Sequence, residues 1–159
     1  MLGDTLLFGV NNSLMQSLVQ GSGTALQMTS AMFRRQLEQL PAFRRKLDLY
    51  AFVLQGQLAL TAACLRFHSL DLRLARWLLM AHDRSGSGSI DLTQELLAEM
   101  LGVRRVGVTN AAGRLQKLKI LSYSRGKITI LDRAGLEQAS CACYRASEAL
   151  YEDALGYTG

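Results

Sequence analysis

Arg105, Val106, Thr109 and Asn110 fall within six residues, at offsets that put them on one side of a helix. An arginine can grip a guanine edge with two parallel hydrogen bonds, and an asparagine can do the same for adenine. Arg104, Arg114 and Lys117 add positive charge around them. Arg125 and Lys127 follow a few residues on, at a turn, where their charge would reach phosphate and not bases. The chemistry this set suits is recognition of duplex DNA, with a few side chains reading bases and the rest holding the backbone.

The stretch that must position them is LTQELLAEMLGVRRVGVTNAAGRLQKLK, residues 92–119. Leu96, Leu97, Met100 and Leu101 repeat at helical spacing. Thr93 stands where an N-cap would, and Glu95 puts a negative charge in the first turn, where the helix dipole favours it. Gly102 ends this helix, as a residue free to take positive φ does. A second helix is expected from about Arg104, with Val108, Ala111, Ala112, Leu115 and Leu118 inward. Ala98 is small where the helices must approach, Gly102 follows at the turn, and Val108 plugs the angle between them. These offsets fit a helix-turn-helix. The plain alternative is a helical hairpin with a solvated basic face.

The 159 residues suffice for one domain or two small ones with a real core. Apolar residues make up 49 %, which excludes a disordered chain. The net charge of +5 allows an anionic partner. Residues 91–133 carry +4 and residues 134–159 carry −3, so the basic excess includes the helix-turn-helix and the acidic end is separate from it. Three cysteines, an odd and low count, make no disulfide framework and suit a reducing cytoplasm. No signal peptide is read at the start. The apolar run near 51–65 is broken by Gln55, Gly56 and Gln57 and reads as too short and too polar to cross a bilayer, so no membrane partner is expected.

Before the motif, residues 6–10, 13–21 and 25–28 read as short strands, or as a loosely ordered arm. A helix is expected over 30–40, with Ser30 as its cap and Met32, Phe33, Leu37 and Leu40 apolar. Pro41 restarts the chain into one long helix to about Phe67. Along it Leu47, Ala51, Leu54, Leu58, Thr61 and Leu65 step by four, three, four, three and four, a heptad seam that suits pairing with a second copy. The rest of the helix is apolar on other faces too, so residues 1–40 are expected to cover part of it. Another helix follows from about Leu70, then a flexible SGSGS, then a lead-in strand at Ile90. After the motif, residues 120–131 alternate around Arg125-Gly126, a β-hairpin, and Asp132 to about Tyr151 reads as one last helix. The fold class is therefore mainly α with small β: a long dimerisation helix, then a winged helix-turn-helix.

The strings LRFHSLDLRLARWLLMAHDR, LTQELLAEMLGVRRVGVTNAAGRLQ and YSRGKITILDRAGLEQASCACY resemble bacterial transcription regulators of the Crp/Fnr type, densely over residues 60–144. The resemblance implies a β-roll of the cyclic-nucleotide-binding type, a long dimer helix and a C-terminal winged helix. Here it implies three parts: a remnant of the roll and its terminal helix over 1–40, the dimer helix over 41–68, and the DNA-binding unit over 69–159. The family's glycine–glutamate pair and its arginine followed by a small hydroxyl residue have no match before Ser30, nor do its N-terminal cluster-binding cysteines. Cyclic-nucleotide sensing is therefore not expected.

By the same resemblance Arg105 matches an arginine that reads guanine. Val106 stands where a glutamate is common, which exchanges a cytosine contact for a thymine methyl contact. Asn110 stands where another arginine is common, so the half-site should differ from the best-known one. Thr93, Gln94 and Arg104 match positions suited to backbone contact. The partners implied are double-stranded DNA, a second copy of the chain, and RNA polymerase. The alternative is an interaction module that pairs with a full-length relative. No cofactor and no catalysis is expected, because no nucleophile, base and acid stand at recognisable spacing. Cys141 and Cys143 could bind a metal only with Cys64, His68 or His82, and are expected instead to pack as small apolar groups.

Overall fold

The computed structural model describes residues 1–13, 17, 19, 23–85 and 89–156. Its first element is a 3₁₀ helix, Asp4–Phe8, bracketed by Gly3 and Gly9 at φ 77° and 76°. This corrects the strand expected over 6–10. Residues 25–28 form no strand either, and the strand expected over 13–21 lies largely outside the described residues. The only sheet among the described residues lies in the C-terminal half, so this segment has no ladder to join.

Helix α1, Ser30–Gln39, is capped by Thr29 and not by Ser30: the Thr29 hydroxyl accepts the Met32 N–H at 3.2 Å. Phe33 and Leu37 are buried with Leu7, against Phe43, Leu47 and Ala51 of the next helix. The Phe33 and Phe43 rings meet edge to face, 6.0 Å between centroids. Met32 and Leu40 are exposed.

Helix α2, Pro41–Phe67, runs 27 residues with proline in its first turn. By length and composition it could cross a membrane, with mean hydropathy 1.3 over its most apolar window, so residues 51–65 alone understated it. Its heptad seam divides. Leu47 and Ala51 pack on the N-terminal segment, as expected of residues 1–40. Leu58 and Leu65 stay 63 % and 53 % exposed, and Thr61 is exposed between them.

Helix α3 is Leu70–Ser85, and strand β1 is Ser89–Asp91. Helices α4, Gln94–Leu101, and α5, Arg105–Lys117, follow. Strands β2, Leu121–Ser124, and β3, Lys127–Ile130, complete an antiparallel sheet in the order β1-β3-β2. Ile90 and Tyr123 both face Ile128 across the ladders. Leu74, Leu78, Leu97, Val108, Leu115, Leu121, Ile128 and Leu136 form one core beneath these elements.

The expected last helix is two. Asp132 caps α6, Arg133–Gln138, by accepting the Gly135 N–H at 2.9 Å. Ser140 then donates its hydroxyl to the Glu137 carbonyl at 2.8 Å, taking an acceptor that a continuing helix would use. The chain turns a corner at 139–142 and starts α7, Cys143–Leu155. Helix α7 lies along α2. Gly56 permits the approach: a Cβ there would stand 2.4 Å from Leu150 Cδ2. Gln57 donates to Ser147 Oγ at 3.1 Å, and Lys46 to the Leu155 carbonyl at 2.7 Å.

Candidate nucleic-acid interface

The pair α4–α5 is built as its residues dictate. Thr93 caps α4 by accepting the Leu96 N–H at 3.2 Å. Gly102 closes it at φ 63°, and its N–H returns to the end of the helix. Leu97, Ala98 and Leu101 of α4 are buried against Val108, Ala111, Ala112 and Leu115 of α5. Arg73 of α3 donates to the Leu101 carbonyl, which satisfies one of the acceptors orphaned at the helix end.

Burying that stripe turns Arg105, Val106, Thr109, Asn110 and Lys117 to solvent together. Val106 is 62 % exposed amid polar neighbours. Arg105 Nη1 pairs with Glu95 Oε1 at 2.7 Å. Thr109 Oγ1 donates to Gln94 Oε1 at 2.7 Å. The first turn of α4 thus fixes the first turns of α5. Behind the site, Tyr123 donates to the Leu92 carbonyl at 2.8 Å, and burial, with Glu95 nearby, raises its pKa.

The profile of the Crp-like helix-turn-helix domain matches residues 72–139. The chain carries a Crp-like helix-turn-helix domain there. The Crp-like domain thus takes in α3 through α6, the sheet included. Among solved structures, a doubly substituted CooA from Carboxydothermus hydrogenoformans is 24 % identical, with TM-score 0.57, over 67 % of this chain and 52 % of that one. A protein described as a transcriptional regulator of the Crp/Fnr family from Eubacterium rectale ATCC 33656 is 28 % identical, with TM-score 0.48, over 69 % of this chain and 45 % of that one. The chain spans about half the length of these structures. No curated protein sequence matches it.

Within the Crp-like domain the expected residues are not equivalent. Arg104 is the exposed N-cap of α5, and Gln94 begins α4 beside it. Arg114 stays exposed but is ion-paired elsewhere. It points to α3 and holds Asp71 with two nitrogens, at 2.6 and 3.1 Å. Nine residues are two and a half helical turns, so position 114 lies opposite Arg105. Gln116, absent from the set expected on sequence grounds, is exposed on the Arg105–Thr109 side. Its signal was present, since it lies seven residues beyond Thr109, two helical turns on. Arg125 and Lys127 are exposed at the tip of the β2–β3 wing. Arg125 and Gly126 stand at φ 50° and 78°, the pair of positive angles of a type I′ turn.

Away from this face, the corner at 139–142 brings together side chains that sequence spacing kept apart. The Cys64 and Cys141 sulfurs lie 3.5 Å apart, and Cys143 Sγ lies 3.6 Å from His68 Nδ1. Burial, with Cys141 alongside, pushes the Cys64 thiol up to about 11, and the Cys143 thiol is raised by burial as well. The cysteines are buried, as expected, but as a group of potential ligands and not as scattered apolar fillers. His82 is not part of the group; it meets Arg133 at the end of α3.

Proposed function

We propose that this chain is a DNA-binding transcription regulator that acts as a homodimer on a pseudo-palindromic site. The observation that carries the reading is the face of α5. Arg105, Val106, Thr109 and Asn110 are turned outward together, on a helix whose inward stripe is committed to a Crp-like core. Arg105 would read guanine and Asn110 adenine, with Val106 against a thymine methyl. Thr109 supports that set through Gln94. Thr93, Gln94, Arg104, Lys117, Arg125 and Lys127 would hold the backbone.

The open part of the α2 seam, Leu54, Leu58, Thr61 and Leu65, is the surface a second copy would cover. Two α5 helices would then face successive turns of the duplex, about 34 Å apart. Residues 1–29 themselves offer no arginine and no glutamate to a cyclic phosphate and its ribose. The place of action is the cytoplasm. The same open seam could instead receive a full-length relative, and this second reading would have the chain modulate that relative.

Selection of bound sequences from a random duplex library, followed by anisotropy titration at several salt concentrations, tests the proposal. A two-fold-related motif bound well above random DNA is the expected result. Salt-steep binding without a motif would overturn sequence-specific reading. No binding at all would favour the second reading, which capture of a full-length relative would then check.

A further inference from the structure

We propose that Cys64, His68, Cys141 and Cys143 hold one tetrahedral zinc ion that clamps α2 to the start of α7. The four ligand atoms all lie within 4.8 Å of one another. A zinc ion bound by sulfur at about 2.3 Å and by nitrogen at about 2.0–2.1 Å sets its tetrahedral donors roughly 3.5–3.8 Å apart. The distances here, 3.5 Å for Cys64 to Cys141 and 3.6 Å for Cys143 to His68, already fall at that spacing. Donors gathered this closely suit a single ion. A cluster of two or four irons would spread them, because each iron holds its own ligands. Three thiolates and an imidazole are among zinc's preferred sets, and a closed four-ligand shell is the structural kind of site.

Burial gives the second, independent observation. Cys64, Cys141 and Cys143 are 2 %, 5 % and 8 % exposed, and no disulfide joins them. Beside them Arg76 is 6 % exposed, has no carboxylate partner among the ion pairs of the described residues, and leaves its Nε without a hydrogen bond. Among the described residues its other nitrogens reach only Thr61 Oγ1, at 3.4 Å, one turn before Cys64. A buried guanidinium without a counter-charge is costly. Arg76 and Cys64 line the same groove, and its positive charge acts on the Cys64 and Cys143 thiols. Zinc with three thiolates and a neutral histidine carries one net negative charge, and Arg76 would balance it.

The ligands come from two places. Cys64 and His68 are four apart at the end of α2 and share a face. Cys141 and Cys143 flank the start of α7. The chain itself passes from α2 into the DNA-binding unit through the short turn at His68 and Ser69. An ion beside that turn would therefore fix the angle between the seam and α5. Only this last step rests on the DNA reading; the metal site stands without it. As the three Zn–S bonds form, each cysteine gives up its S–H proton to solvent, while His68 binds through a neutral nitrogen lone pair.

The test uses the full chain, purified reduced and without chelator. Elemental analysis should find one zinc per chain. After chelation, added cobalt(II) should give the visible absorption of a tetrahedral thiolate site, saturating at one per chain. Zinc should displace the cobalt, and zinc added to the metal-free chain should release about three protons in weak buffer. Cys143→Ser and His68→Asn should weaken binding by more than about 100-fold, the upper end of what outer-shell changes cost. His82→Asn should not. Because a ligand variant can simply fail to fold, thiol alkylation is followed in the unmodified protein, where zinc and not magnesium should protect all three cysteines. No stoichiometric uptake by the reduced folded chain would overturn the proposal. So would stoichiometric iron in place of zinc, a Cys64–Cys141 disulfide as the resting form, or cobalt binding that survives Cys143→Ser. If metal binds but selected DNA is bound equally well without it, the clamp is structural and does not control readout. DNA binding lost with intact metal uptake would point to the DNA reading instead.

Discussion

Leu58→Asp separates a dimer seam from an ordinary exposed helix face. In the single chain Leu58 is 63 % exposed, so the substitution should change folding stability by no more than about 0.5 kcal/mol. In a dimer the seam would bury that exposed fraction on both chains. Full burial of a leucine is worth about 1.5–3 kcal/mol, so the two copies forfeit about 2–4 kcal/mol of association before any charge is counted. An unpaired carboxylate in the seam adds to this. At about 1.4 kcal/mol for each factor of ten, self-association should weaken by roughly 10²-fold or more. Arg73 and Arg84 line the groove beside Leu58 and could neutralise a new carboxylate. Leu58→Asn, which offers no charge, should therefore fall in the same direction. Sedimentation velocity across a concentration series reads the effect, with circular dichroism to show that the fold is kept. An unchanged mass distribution would refute the seam as an interface, and a lost fold would refute the exposure argument.

Three further outcomes follow from the DNA face. Arg105→Ala should cost about 1–3 kcal/mol on the selected site and relax preference at one base pair; equal loss on random DNA, measured by competition, would remove its reading role. Arg114→Ala should leave the salt dependence of binding unchanged and cost the fold up to about 1 kcal/mol, because its partner is Asp71, whereas Lys117→Ala should lower the salt slope by about 0.9 per site. Arg125→Asn should move stability and affinity in opposite directions. Asparagine is favoured at the first central position of a type I′ turn and should raise stability by up to about 1 kcal/mol, while one phosphate contact and its share of the salt slope are lost.

What the sequence made legible follows from local rules. The cap at Thr93, the stop at Gly102, the proline start of α2 and the Arg125-Gly126 turn each depend on one residue's own conformational preference, and each stands where its type says. The inward stripe of α5 depends only on a period, and it is legible from Val108 to Leu115; Leu118, also expected inward, stands past the end of the helix and is 68 % exposed, because the period stops where the helix does. The misreadings depend on partners distant in sequence. The partner of Arg114, Asp71, lies 43 residues earlier and cannot be read from the motif. Residues 6–10 are a short apolar run that reads as a strand, yet such a run makes a strand only where a sheet edge waits, and this segment folds on α1 and α2. Cys64 and His68 are legible as possible partners of Cys141 and Cys143, but their meeting is not, because the sequence pattern reads the last helix as unbroken. In an unbroken helix Cys141 and Cys143 would point to opposite sides, since residues two apart do not share a face, and no common ligand set could form.

The break at 139–142 therefore has two consequences with one cause. It turns both cysteines toward Cys64, and it redirects the chain so that α7 returns along α2 and not away from it. Helix α7 then binds α2 at points spread over its length: Lys46 on the Leu155 carbonyl, Gly56 against Leu150, Gln57 on Ser147, and the cysteine corner at the far end. At the other side of α7, Tyr144 is buried among Asp83, Glu148 and Arg133, which tie it to α3 and α6. The recognition helix is thus joined to the seam twice, through the short turn at Ser69 and through α7. A hinge with one attachment lets a DNA-binding unit swing freely; a second attachment removes most of that freedom. In the proposed dimer, control over the spacing of the two α5 helices would have to loosen or tighten α7 on α2, and the cysteine–histidine corner is the end of that contact where a bound ion could do so.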